Sequence, residues 1–198
     1  MRSAVRAPNA PSSFTFAQFA WGRLLVPFVA PDLMSDVPEN IQSPVLRRLY
    51  AYWDERRRGR LMPARRDLDP LDFSFALGHV LLIDVLENPR RFRFRLHGSE
   101  LVSRAGYDMT GKMVDELPDP ENRSVLLRRC RELVNTRQPY AQRSERIVDD
   151  RMMRYEVVWM PLSDDGERVT MLFGALIYLD PPFACGRSVH QGRCNPSG

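Results

Sequence analysis

The chain has 198 residues, 43% of them apolar and 27% charged, with a formal net charge of +4. That length suits a single globular domain with its own core; three cysteines are too few for a disulfide framework and fit a reducing, cytoplasmic compartment; and no apolar run approaches the ~20 residues of a membrane helix. The positive excess sits at the ends, since residues 1–33 and 181–198 each carry +2 while residues 34–180 balance 24 basic against 24 acidic side chains, so the charge makes no case for a nucleic-acid partner.

Residues 1–40 read as a disordered or wrongly assigned extension. Pro8, Pro11, Pro27, Pro31 and Pro38 break any long helix, and Met34, opening MSDVPENIQSP, is the expected initiator. Ser43–Gly59 is predicted as an amphipathic helix, with Ser43 as cap and Pro44 at the first helical position. Its face of Val45, Leu46, Leu49, Tyr50 and Trp53 follows a 3.6-residue period. So large an apolar face needs a cover, and Leu46, Leu49, Tyr50 and Trp53 are the candidate homodimer interface. Arg56, Arg57, Arg58 and Arg60 at its end suit a helix C-terminus and are expected to be solvated.

A connector follows, and then two strands are predicted: His79–Leu86, nearly all apolar, and Arg91–His97, alternating with Phe92, Phe94 and Leu96 on one side. Asn88-Pro89-Arg90 turns between them. Ser99–Ala105 reads as a short helix closed by Gly106, Lys112–Leu117 as a turn, and Asp119–Thr136 as a long helix with a stripe of Val125, Leu126, Leu133 and Val134. Tyr140–Val148, Met152–Leu162 and Val169–Leu179 are three further strands, joined by turns at Asp149-Asp150 and Asp164-Asp165-Gly166. Residues 181–198 read as a disordered tail. The expected architecture is α+β: a five-stranded antiparallel sheet with helices on one face, preceded by the amphipathic helix.

The element order and the stretch FRFRLHGSELVSRAGYDMTGK, Phe92–Lys112, resemble the short stand-alone PAS-like proteins abundant in alphaproteobacteria. The strand end Arg95-Leu96-His97-Gly98 and the turn Gly106-Tyr107-Asp108-Met109-Thr110-Gly111 carry the resemblance, which covers residues 43–180. It implies a sensing or interaction module. Such a fold can hold haem, flavin or a small metabolite, but His79, His97 and His190 lie outside the long helix where a haem ligand is wanted, and Cys130 lacks the Asn-Cys-Arg setting of photoreactive flavin domains. No cofactor is expected. Cys185, His190 and Cys194 supply only three ligands in a tail, which makes no metal site.

Within the motif turn, Gly106, Asp108, Thr110 and Gly111 are expected to hold the turn, Asp108 as a side-chain cap. Alternation puts Tyr155, Val157 and Trp159 on one face of their strand and Arg154 and Glu156 on the other. The more polar face is taken as outer, so a small-molecule pocket is expected among Tyr155, Val157, Trp159, Met171, Phe173 and Tyr107. The expected function is a non-enzymatic PAS-like sensory or interaction module acting through an unidentified signalling protein or a change of oligomer. The alternative is a small enzyme in a cone-like cavity, which would call on Glu156 or His97, both assigned to the outer face.

Overall fold

A computed structural model describes residues 41–180, apart from 88, 89, 149 and 150. The expectations for residues 1–40, for the tail with Cys185, His190 and Cys194, and for the turns at Asn88-Pro89 and Asp149-Asp150 lie outside the described residues.

Helix α1 spans Pro44–Arg57. The Ser43 hydroxyl accepts from the Leu46 N–H at 3.4 Å, and Pro44 starts the helix without wasting a donor. It stops at Arg58, which adopts the left-handed conformation ahead of Gly59. Its C-terminal arginines are not merely solvated: Arg56 pairs with Asp72, Arg57 with Asp54, and Arg60 with Asp67. The Asp67 carboxyl is held below the usual carboxylate range by the Ala64 N–H and by Arg60.

Strands β1 (Val80–Leu86) and β2 (Arg91–His97) form a hairpin, helix α2 (Ser99–Ala105) follows, and α3 (Pro120–Thr136) precedes β3 (Tyr140–Val148), β4 (Arg151–Leu162) and β5 (Met171–Tyr178). Asp119 caps α3 by accepting from the Glu121 and Asn122 N–H groups. All neighbours pair antiparallel in the order β2-β1-β5-β4-β3, the expected sheet.

Both faces of this sheet are covered. Helices α2 and α3 lie over Leu81, Ile83, Phe92, Phe94, Val157, Trp159 and Leu172, while α1 and its connector lie over Val80, Leu82, Val158, Met160, Phe173 and Ala175. That is why β1 reads as a run that is apolar but for Asp84. Two details depart from the alternation read in the sequence. The β1–β2 register slips between Leu82 and Ile83, leaving Arg95 as the extra residue of a bulge. Phe92 and Phe94 therefore face the α2/α3 layer, whereas Leu96 packs in the α1 layer and His97 returns to the α2/α3 side beside Phe94 and Tyr107. On α3, Val125 is exposed, whereas Leu133 is buried and Leu126 and Val134 pack against the layer as expected, with Cys130 as an additional buried contact.

Candidate functional site

The space between the sheet and α2/α3 is where the pocket was expected, and the structure divides the residues assigned to it. Tyr155, Val157, Trp159 and Tyr107 all join the α2/α3 layer. Met171 and Phe173 do not: Phe173 stands opposite Met160, and both side chains pack in the α1 layer. Trp159 stands instead opposite Gly174, so the face of β5 that meets it carries Leu172 and Leu176. The two strands were placed one residue out of phase, and in a period-two element that exchanges the faces.

Trp159 is 4% exposed and lies across Gly174, where an added Cβ would overlap ring atoms Cε3 and Cζ3. A glycine here lets the indole lie directly on the backbone. Around it Leu81, Ile83, Phe92, Phe94, Met109, Cys130 and Leu133 are all buried in one cluster. Burial pushes the Cys130 thiol up to about 12, so it sits there as a small apolar residue rather than a nucleophile. Toward one end the layer is half-buried: Tyr155 and Tyr178 meet edge to face at 6.3 Å, and Arg104 stacks over Tyr178.

The motif turn is a clasp on β2. Gly106 ends α2 with φ 75°. The Asp108 carboxylate accepts from the Thr110 N–H at 2.8 Å, the cap expected from the sequence. The Thr110 hydroxyl accepts from the His97 N–H, and His97 Nδ1 accepts from the Met109 N–H, both at 3.2 Å. Backbone bonds from Gly111 N–H to Phe94 O and from Phe94 N–H to Lys112 O cover the β2 edge. Burial holds the His97 imidazole below its ordinary pKa, against the pull of Asp108 at 3.8 Å. The neutral ring is the one this geometry needs, since a protonated Nδ1 accepts nothing. Gly98 beside it is packed so closely on the Gly78 carbonyl that no side chain fits.

Glu156 is on the opposite face from Trp159, as expected, yet it is fully buried rather than outer. Its two oxygens accept from the Gln42 and Ser43 N–H groups at 2.5 and 2.8 Å. A carboxylate at the start of a helix satisfies orphan donors and complements the helix dipole, so Glu156 anchors α1 to β4. The other end of α1 is held by the Trp53 indole, which donates to Pro161 O at 3.1 Å. Leu46, Leu49 and Trp53 are fully buried in this layer and Tyr50 is packed against it. The proposed homodimer interface is thus part of the core: the cover for the apolar face is the molecule's own sheet.

A second feature was not anticipated. Asp84, in the apolar run of β1, is buried and takes both Arg93 and Arg95. An acid inside a run such as VLLIDVL was the available signal. Among the described residues, no group of three or more His, Cys, Asp or Glu side chains could hold a metal, and no helix is long and apolar enough to cross a membrane.

Comparison with known proteins agrees with the geometry. A search of curated proteins finds no match. Among solved structures, the chain is similar to the PAS domain of Bordetella pertussis BvgS (16% identity, 58% of this chain and 89% of that one, TM-score 0.45). It is also similar to a sensory box sensor histidine kinase from Vibrio cholerae (18%, 52% and 83%, 0.40) and to the LOV domain of a blue-light activated histidine kinase from Erythrobacter litoralis (12%, 52% and 97%, 0.38). A family model described as PAS domain matches residues 41–177, from just before α1 to the penultimate residue of β5, and the chain belongs to the PAS domain family.

Proposed function

We propose that this PAS domain is a cytoplasmic, non-enzymatic sensory or interaction module that works through its surfaces, passing its state to a partner protein or to a second copy. The observation that supports this reading is the indole of Trp159 lying on Gly174, buried among apolar side chains on the sheet face where a metabolite was expected. The two groups an enzyme would use there are engaged otherwise, Glu156 with the start of α1 and His97 with the motif turn. Native mass spectrometry of the full chain purified from its own host tests the proposal. A chain mass free of any apolar or aromatic ligand, alone or with a stoichiometric protein partner, supports it; a stoichiometric apolar or aromatic small molecule that survives desalting overturns it.

A further inference from the structure

The Asp84 cluster has more positive charge than a buried acid requires. Arg93 gives Nε and Nη2 to Asp84 Oδ2 at 3.3 and 2.9 Å, and Arg95 gives Nε to Oδ1 at 2.7 Å. One guanidinium neutralises the Asp84 carboxylate, and the second is balanced only by Asp164 at the rim of the same cleft. Arg95 is also the bulged residue, and a bulge re-aims a side chain at the expense of ladder pairing. Asp84 is 6% exposed and fixes both guanidiniums from beneath, while the Arg93 and Arg95 side chains remain 41% and 55% exposed. Among the described residues, Nη1 of Arg93 and both Nη groups of Arg95 have no hydrogen-bond partner. These donors border a cleft of about 230 Å³ that is also lined by Thr170, Asp164 and Met171. Asp164 at the rim accepts from the Thr170 hydroxyl at 3.2 Å.

We propose that this cleft binds a small oxyanion, a carboxylate or a phosphate, between Arg93 and Arg95. Planar guanidiniums held in place by a buried carboxylate offer forked donors that need no reordering on binding. The volume is below the ~300–1,000 Å³ of sites for drug-sized ligands, so the occupant is small. Its position on the α1 face, away from Trp159, makes this site independent of how the space under α2 and α3 is used.

The test is a titration of the full chain with inorganic phosphate, which can donate to Asp164, and separately with malonate, which cannot. Ionic strength is held constant with sodium chloride, and the arginine Nε–H and Thr170 amide signals are followed by NMR. Saturable shifts of Arg93 and Arg95 with either anion, weakened about ten-fold or more in Arg95→Gln, support the site, and the better anion identifies its source. Arg95 is exposed, so Arg95→Gln is expected to keep the wild-type amide spectrum; Arg93→Gln is the second variant. Drifts that never saturate, or binding equal in wild type and both variants, overturn the proposal.

Discussion

Gly174→Ala isolates the packing on which the proposed function rests. The new methyl would meet the indole of Trp159 at Cε3, Cζ3 and Cη2, the last at 2.9 Å. Carbon atoms pack at ~3.5–4.0 Å, and Cε3 and Cζ3 lie nearer still, so the ring would have to retreat by about 1 Å or more. The ring cannot do so freely, because Trp159 is 4% exposed and the α2/α3 layer closes over it. Overpacking of this kind costs ~1–3 kcal/mol. Trp159→Leu alone should also destabilise, by a few kcal/mol at most for a large-to-small core change. In the double variant the shorter side chain makes room for the methyl, so the two losses should not add. Urea unfolding of the four proteins, with circular dichroism as probe, gives the coupling energy. An interaction of ~1 kcal/mol or more in the compensating direction is expected; losses that add to within ~0.3–0.5 kcal/mol would show that Trp159 does not rest on Gly174.

Three further outcomes follow from the same contacts. Glu156→Gln replaces one accepting oxygen with a donor, leaving a buried N–H of Gln42 or Ser43 unpaired at a cost of ~1–3 kcal/mol; hydrogen exchange should quicken at Ser43 and Leu46 before β1 or β5, and unchanged protection there would refute the anchor. Burial lowers the His97 pKa in the folded state, so the unfolded chain takes up the proton first; stability should fall as the pH drops below the ordinary imidazole value of 6.5, and the difference between wild type and His97→Gln should flatten above it. Native Cys130, its thiol raised to about 12, should resist iodoacetamide and react once the protein is unfolded in urea, as read by peptide mass mapping; rapid labelling of the folded protein would contradict its burial.

Most of the architecture was legible because local chemistry and periodicity agreed. The Ser43-Pro44 start, the Asp119-Pro120 start and the limits of β2 and β3 follow from caps and alternation. The phase between strands was not legible. Nothing in the chain states that Trp159 pairs with Gly174 rather than with Phe173, and both sheet faces are apolar, so hydrophobicity could not choose between them. The same ambiguity hid the cover of α1: an apolar helix face reads alike whether a second copy or its own sheet lies against it. Glu156 was misjudged for a related reason. Its charge suggested solvent, but two backbone donors 113 and 114 residues earlier in the chain supply its partners.

The seating of α1 also sets a schedule for making the protein. Trp53 bonds to Pro161 across 108 residues. At ~5–20 residues per second, a ribosome takes roughly 5–20 s to cover that interval. For most of it Leu46, Leu49 and Trp53 are outside the tunnel while β4 and β5, which complete their cover, have not been made. Nascent chains of this domain are thus adhesive at their leading end until translation is nearly over. Stalling before β5 yields a product with an uncovered apolar helix, a substrate for holdase chaperones and for proteolysis.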